Sequence, residues 1–128
     1  MPKNVELLYP KILALDTSER EQIRLALIVQ STSTVKKVIN KQAQDLQQEL
    51  DEFLSKNSVQ LKDLDALAVV KNGPSLTGIR MGLVSVNTLA WLNGKPIIEL
   101  ENGFETSVNQ LESGEKDFKI VKQVIPNA

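Results

Sequence analysis

The 128-residue sequence contains no cysteine and no histidine. The absence of both residue types excludes disulfide bonds, a thiol nucleophile, a Ser-His-Asp triad and every zinc site that needs imidazole or thiolate ligands. Aromatic residues make up 4% of the chain, which is too few for a platform on which nucleic-acid bases stack. Composition alone therefore excludes most familiar hydrolytic chemistries.

The chain also lacks an excess of charge and a long apolar run. Lysine and arginine number 15 against 16 acidic residues, so we expect any contact with RNA to be indirect. No window approaches 18 uncharged apolar residues, and residues 1–9 lack the apolar core of a signal peptide. We therefore expect residues 1–128 to form one domain of a cytoplasmic protein with no membrane span.

Hydrophobic periodicity predicts a mixed α/β domain. Apolar runs, some with a period of two, predict strands at 12–15, 23–29, 32–39, 66–70 and 96–100, and repeats of three and four predict helices at 41–57 and 77–92. We interpret residues 104–125 as a hairpin whose second strand runs from Phe118 to Ile125. The order β-β-β-α-β-α-β describes a sheet that is antiparallel at its start and parallel afterwards, as in the ribonuclease H-like fold.

The second predicted helix has an unusual shortage of charge. Arg80 is its only charged residue, and apolar residues are spread almost all the way round it, more than a small lobe can cover. Gly78 and Gly82 lie one turn apart, where bare backbone permits another helix to approach closely, and Ser85 and Val86 continue that surface. We predict that these residues form an intermolecular contact. The alternative is that the two glycines let the helix lie tightly on its own sheet.

The loop that leads into this helix is a candidate anion site. Free backbone N–H groups and the helix dipole favour an anion there, and Gly73, Ser75, Thr77 and Arg80 are the candidate residues. The loop is not a P-loop, because the Gly-Lys-Ser/Thr ending is missing. The competing interpretation is that Ser75 or Thr77 caps the helix while glycine and proline make the turn.

Asp16 follows the first strand, where a ribonuclease H-like nuclease places a metal-binding carboxylate. Two-metal chemistry needs further carboxylates, but the central strand ends at Lys71 and Asn72. We therefore predict no metal site and a turn in which the Asp16 side chain bonds to its own backbone.

Three segments together resemble the amino-terminal lobe of the TsaB (YeaZ) family of bacterial tRNA threonylcarbamoyladenosine modification. They are ILALDTS at 12–18, LKDLDALAV at 61–69 and the most specific one, SLTGIRMG at 75–82. The resemblance covers residues 11–100 and implies a non-catalytic subunit with an actin-like (ASKHA) fold. It further implies pairing with the catalytic subunit TsaD, with the ATPase TsaE in the assembly, and homodimers through an overlapping surface. By position it assigns Gly78, Arg80 and Gly82 to the motif and adds Leu83 and Val86 as interface candidates.

The sequence departs from the family pattern in several places. The family typically has GRGPGSFTG where this chain has VKNGPSLTG at 70–78, and a His-Ser pair where this chain has Gln42-Ala43. We expect residues 101–128 to be a divergent tail in place of a second lobe, and we therefore expect no cofactor and no ATP hydrolysis by the chain alone. The leading hypothesis is a one-lobe scaffold for a TsaD-like enzyme. The alternatives are a small nucleotide- or phosphate-binding protein and a stand-alone homodimer.

Overall fold

The computed structural model describes residues 9–30, 33–114 and 117–125, which form a six-stranded sheet with helices on both faces. The strands are β1 (Lys11–Asp16), β2 (Ile23–Val29), β3 (Ser33–Ile39), β4 (Ala66–Val70), β5 (Ile97–Leu100) and β6 (Lys119–Val121). The helices are α1 (Leu46–Lys56), α2 (Leu76–Asn93) and α3 (Phe104–Glu112), with short 3₁₀ turns at Ala43–Asp45 and Leu61–Asp63. The predicted start of β3 at Thr32 and residues 1–8, for which we predict no signal peptide, lie outside the described residues.

The strand order is β3-β2-β1-β4-β5-β6. Strands β1, β4 and β5 run parallel to one another. Strand β2 is antiparallel to both β1 and β3, and β6 is antiparallel to β5. Each parallel connection carries a helix, as parallel pairing requires. This topology confirms the predicted mixed, ribonuclease H-like sheet.

The two faces of the sheet bury two separate cores. Leu13 and Leu15 of β1 face the side that carries α1 and α2, and Ile12 and Ala14 face the side that carries α3. Because both faces are covered, β1 and β4 are continuously apolar rather than alternating. Within the described residues, no helix is both long and apolar enough to cross a bilayer.

The hairpin predicted for residues 104–125 is wrong in its first half. Residues 104–112 form α3, whose Phe104, Val108 and Leu111 recur at intervals of four and three and cover the second face of the sheet. Only Lys119–Val121 of the predicted final strand is a strand, and it pairs with β5. The helix replaces the hairpin because the apolar second face of the sheet needs a cover with one continuous apolar side.

Candidate functional site: helix α2 and the loop before it

The start of α2 is fixed to the end of β1 by hydrogen bonds. Ser75 caps the helix, because its Oγ accepts from the backbone N–H of Gly78 at 3.1 Å. The backbone N–H of Ser75 donates to the carbonyl of Ser18 at 2.9 Å. The hydroxyl of Thr17 donates to the carbonyl of Gly78 at 2.7 Å. The β1–β2 loop and the first turn of α2 therefore form one rigid unit.

Gly78 and Gly82 lie on the inner side of α2, against this unit. A Cβ atom at Gly78 would overlap the carbonyl oxygen of Thr17, and one at Gly82 would overlap the Thr17 hydroxyl. The prediction that these glycines form an intermolecular contact is wrong, and the alternative, close packing on the chain's own sheet, is correct. The glycines are needed because any side chain would push the helix away from β1.

The remaining interface candidates also lie on or beside the inner side of α2. Leu83 and Val86 are 1% and 0% exposed and belong to the core between α2 and the sheet, so they are not available to a partner. Ser85 is half-buried at the border of the helix's inner side. Leu83 and Val86 were assigned to the wrong side of α2 because the sequence shows that apolar residues surround the helix but does not show which of them meet the sheet.

The outer face of α2 carries the apolar surface that the shortage of charge predicts. We define the outer face by five exposed residues, of which the first four follow at intervals of three and four and the last adjoins the fourth: Met81, Val84, Thr88, Trp91 and Leu92. Val84, Trp91 and Leu92 are 65%, 80% and 64% exposed. Arg80 is exposed beside them and is the only charged residue of the helix. The excess apolar surface is thus present, but its residues are not those chosen from the sequence.

The candidate anion loop borders a cleft of about 720 Å³. The cleft is lined by Glu19 and Arg20 of the β1–β2 loop, residues 42–44, residues 74–78 and Met81. It brings the predicted residues Ser75 and Thr77 near Arg20, a cation that the sequence analysis did not single out, whereas Gly73 and Arg80 are not part of its lining. Since the Ser75 hydroxyl is already used as the helix cap, the capping interpretation is confirmed.

Asp16 takes part in the predicted turn. Its Oδ1 accepts from the backbone N–H of Ser18 at 2.8 Å, and its Oδ2 lies 3.5 Å from Nη1 of Arg24. Asp16 is 2% exposed, and a backbone donor and a cation balance the charge of its carboxylate. Within the described residues, no three acidic, histidine or cysteine side chains gather as metal ligands would.

The sequence analysis missed a second buried carboxylate at the same edge of the sheet. Glu99 of β5 is 4% exposed, and its Oε1 lies 3.2 Å from Nζ of Lys71 and 3.9 Å from Nζ of Lys119. The signal was available, because Glu99 is the single charged residue of the apolar strand β5. Lys71, whose own side chain is largely buried, pairs with Glu99 as a structural ion pair.

Comparison with known proteins identifies the family. Residues 34–109 match the family model described as TsaD, tRNA N6-adenosine threonylcarbamoyltransferase. The structure resembles YeaZ from Pseudomonas aeruginosa, with a TM-score of 0.64 and 26% identity over 71% of this chain and 43% of that chain. A second structure from that organism, of an uncharacterized protein with similarity to peptidase YeaZ, matches with a TM-score of 0.65, 26% identity and the same two coverages. The chain thus spans less than half the length of these proteins.

A more distant likeness concerns the fold alone. The RuvC structure from Thermus thermophilus matches with a TM-score of 0.51 and 10% identity, over 91% of this chain and 85% of that one. A search of curated protein sequences found no match. The topology, the family model and the YeaZ structures agree with the three motifs. The chain therefore belongs to the TsaD family, and its fold is a TsaB (YeaZ)-like lobe of the ribonuclease H-like, actin-like class.

Proposed function

We propose that the chain is a non-catalytic, TsaB-like subunit that supports a TsaD-like enzyme in threonylcarbamoyladenosine modification of tRNA. In this proposal the outer face of α2 binds the catalytic subunit, a TsaE-like ATPase joins the assembly, and tRNA contacts the partner rather than this chain. The observation that carries the proposal is the outer face itself, which exposes a tryptophan, a valine and a leucine without an acidic residue among them.

The energetics of this face fit a partner that adds contacts of its own. Fully burying one large apolar side chain stabilises a complex by roughly 1.5–3 kcal/mol. Covering the exposed parts of Val84, Trp91 and Leu92 therefore contributes about 3–6 kcal/mol. Association costs about 4–15 kcal/mol, so the partner must also engage the rim. An exposed tryptophan at the centre of a contact is the residue type that most often dominates binding energy.

The polar groups of the lobe support a role that is not catalytic. Asp16 and Glu99 are the buried carboxylates at the edge of the sheet where α2 begins, and each is already paired with a cation. A general acid or base needs a free carboxyl group within reach of substrate. Activity of the assembly is therefore assigned to the partner.

The test mixes the purified chain with a TsaD-like catalytic subunit and measures mass by size-exclusion chromatography with light scattering. We expect a complex that Val84→Glu abolishes. The matched control is Val38→Glu, because Val38 is a comparably exposed valine, at 54%, on the edge strand β3. The control should leave the complex intact.

Two other outcomes would each contradict part of the proposal. A complex that survives Val84→Glu shows that the outer face is not the contact. A pure chain that remains a dimer in the presence of the catalytic subunit favours the stand-alone homodimer and contradicts the scaffold role.

The cleft at the start of α2 supports a second candidate, binding of a nucleotide or phosphate. Its volume of about 720 Å³ and the presence of Arg20 and Thr77 in its lining favour a small anion. Calorimetry with ATP, ADP and Mg²⁺ tests this candidate. Binding that Arg20→Ala removes supports the second candidate, and no binding by the isolated chain agrees with the scaffold role.

A further inference from the structure

The segment that follows α3 returns to the sheet and docks beside α2. We call residues 117–125 the strap. Its strand β6 pairs antiparallel with β5, with Ile97 opposite Val121 and Glu99 opposite Lys119. Beyond β6, Val124 is 1% exposed and packs into the core between the sheet and α2.

Asn87 of α2 holds the strap by its main chain. The Asn87 amide nitrogen Nδ2 donates to the carbonyl of Val124 at 2.9 Å, and Oδ1 accepts from the backbone N–H of Val124 at 2.8 Å. One donor and one acceptor directed at the same residue reproduce the exchange of two hydrogen bonds in an antiparallel ladder. The Asn87 amide thus continues, from a helix, the pairing that β5 begins.

The strap is a small addition to a core that other segments complete. Among the apolar side chains that the structure describes as buried, Val124 is the only one that the strap contributes, and Phe118 and Val121 are half-buried against the two cores. Lys119 and Ile120 of β6 are exposed. The ion pair between Lys119 and Glu99 is long, at 3.9 Å, and its lysine is solvated, so it contributes little.

We propose that the edge of β5, the Asn87 amide and the socket of Val124 form a strand-accepting peptide site. The strap is its intramolecular ligand, and the strap of a second copy of this chain is its ligand in trans. The site recognises an extended peptide by main-chain hydrogen bonds and selects a β-branched apolar side chain at the socket, which is how strand addition obtains affinity and specificity. The tethered strap outcompetes a free one because of its high effective concentration.

The first test uses the full chain and a labelled peptide of sequence DFKIVKQVI, residues 117–125. Val124→Asp releases the tethered strap and leaves the site intact, so we expect this variant to bind the peptide, measured by fluorescence anisotropy. The unmodified chain should bind at least roughly tenfold more weakly, since its own strap fills the site. Adding Asn87→Ala to the Val124→Asp chain should weaken binding by about tenfold or more.

The second test mixes two complementary full-length variants. The Val124→Asp chain has a working site and no ligand, and the Asn87→Ala chain has a working strap and a damaged site. We expect the mixture to form a complex with one copy of each that neither variant forms alone, measured by light scattering.

Three results would overturn the proposal. One is a Val124→Asp chain that binds no peptide, and another is binding that Asn87→Ala does not change. The third is loss of the native circular dichroism spectrum in both Val124→Asp and the milder Val124→Ser, because a dissociable ligand can be lost without unfolding the lobe.

Discussion

Replacing Gly82 with alanine tests which side of α2 meets the sheet. The new methyl group would overlap the hydroxyl of Thr17, a residue that is 1% exposed. This hydroxyl donates a hydrogen bond to the carbonyl of Gly78. To avoid the overlap, Thr17 must rotate and abandon that hydrogen bond, or α2 must move away from β1. If Gly82 instead faced a second polypeptide, alanine would leave the isolated chain unharmed.

The expected magnitude is the difference between two opposing effects. Alanine in a helix interior is more favourable than glycine by about 1 kcal/mol. Losing a buried hydrogen bond or overpacking the contact costs about 1–3 kcal/mol. We therefore expect Gly82→Ala to lower the free energy of unfolding by up to about 2 kcal/mol. Gly78→Ala should cost more, about 2–3 kcal/mol, because it meets the backbone oxygen of Thr17, which cannot rotate away.

Urea unfolding followed by far-ultraviolet circular dichroism measures these differences. The matched control is Thr88→Ala on the outer face, which should leave stability unchanged or slightly higher. The double variant Thr17→Ala with Gly82→Ala should be no less stable than Thr17→Ala alone, since the obstructing hydroxyl is gone. A Gly82→Ala chain as stable as the unmodified protein, but unable to bind its partner, would refute the inward placement of this glycine.

Substitutions at three further positions test other parts of the lobe. The hydrogen bond and charge of Glu49 raise the pKa of Lys41 above its usual 10.5. The stability difference between the unmodified chain and Lys41→Met should therefore be constant from neutral pH up to that value and shrink as the pH rises through the raised pKa. Ser107→Ala should leave stability unchanged or raise it by up to about 1 kcal/mol in thermal unfolding, because the fully buried Ser107 hydroxyl has no partner within the described structure. Asp16→Ala should cost about 1–3 kcal/mol in urea unfolding, and Asp16→Asn clearly less, because the amide oxygen still accepts from Ser18.

Most of the fold is predictable because each strand and helix that packs in the sheet has its own local pattern of apolar residues. The prediction placed β2 and β4 at the residues where they lie, and α2 within one residue at either end, since period and length distinguish these elements without reference to their neighbours. Helix α3 was missed although Phe104, Val108 and Leu111 carry its period. Three apolar residues among polar ones give a weak signal, and the second face of the sheet that requires this helix appears only once the strands are assembled.

The sequence predicts that α2 exposes apolar surface, but it does not predict which residues form that surface. A helix with one charged residue in a small lobe must expose apolar surface, and α2 does. Which arc faces the sheet depends on Thr17, a residue about 60 positions away in sequence, whose contacts with Gly78 and Gly82 determine how close the helix lies. The sequence of the helix alone does not indicate that Thr17 contacts its two glycines.

The two glycines and the exposed tryptophan of α2 are linked by the same packing. Because Gly78 and Gly82 bring the start of α2 close to Thr17, the side of the helix that carries Leu83 and Val86 packs on the sheet. Val84, Trp91 and Leu92 therefore remain outside. A substitution on the outer face should therefore change association without changing folding. We expect the free energy of unfolding of Val84→Glu to lie within about 0.5 kcal/mol of that of the unmodified chain, although the variant no longer binds the partner. Gly82→Ala should show the opposite: partner binding retained in its folded fraction, with reduced stability. If both substitutions impaired folding equally, the outer face would be part of the core, and α2 would have no surface to offer a partner.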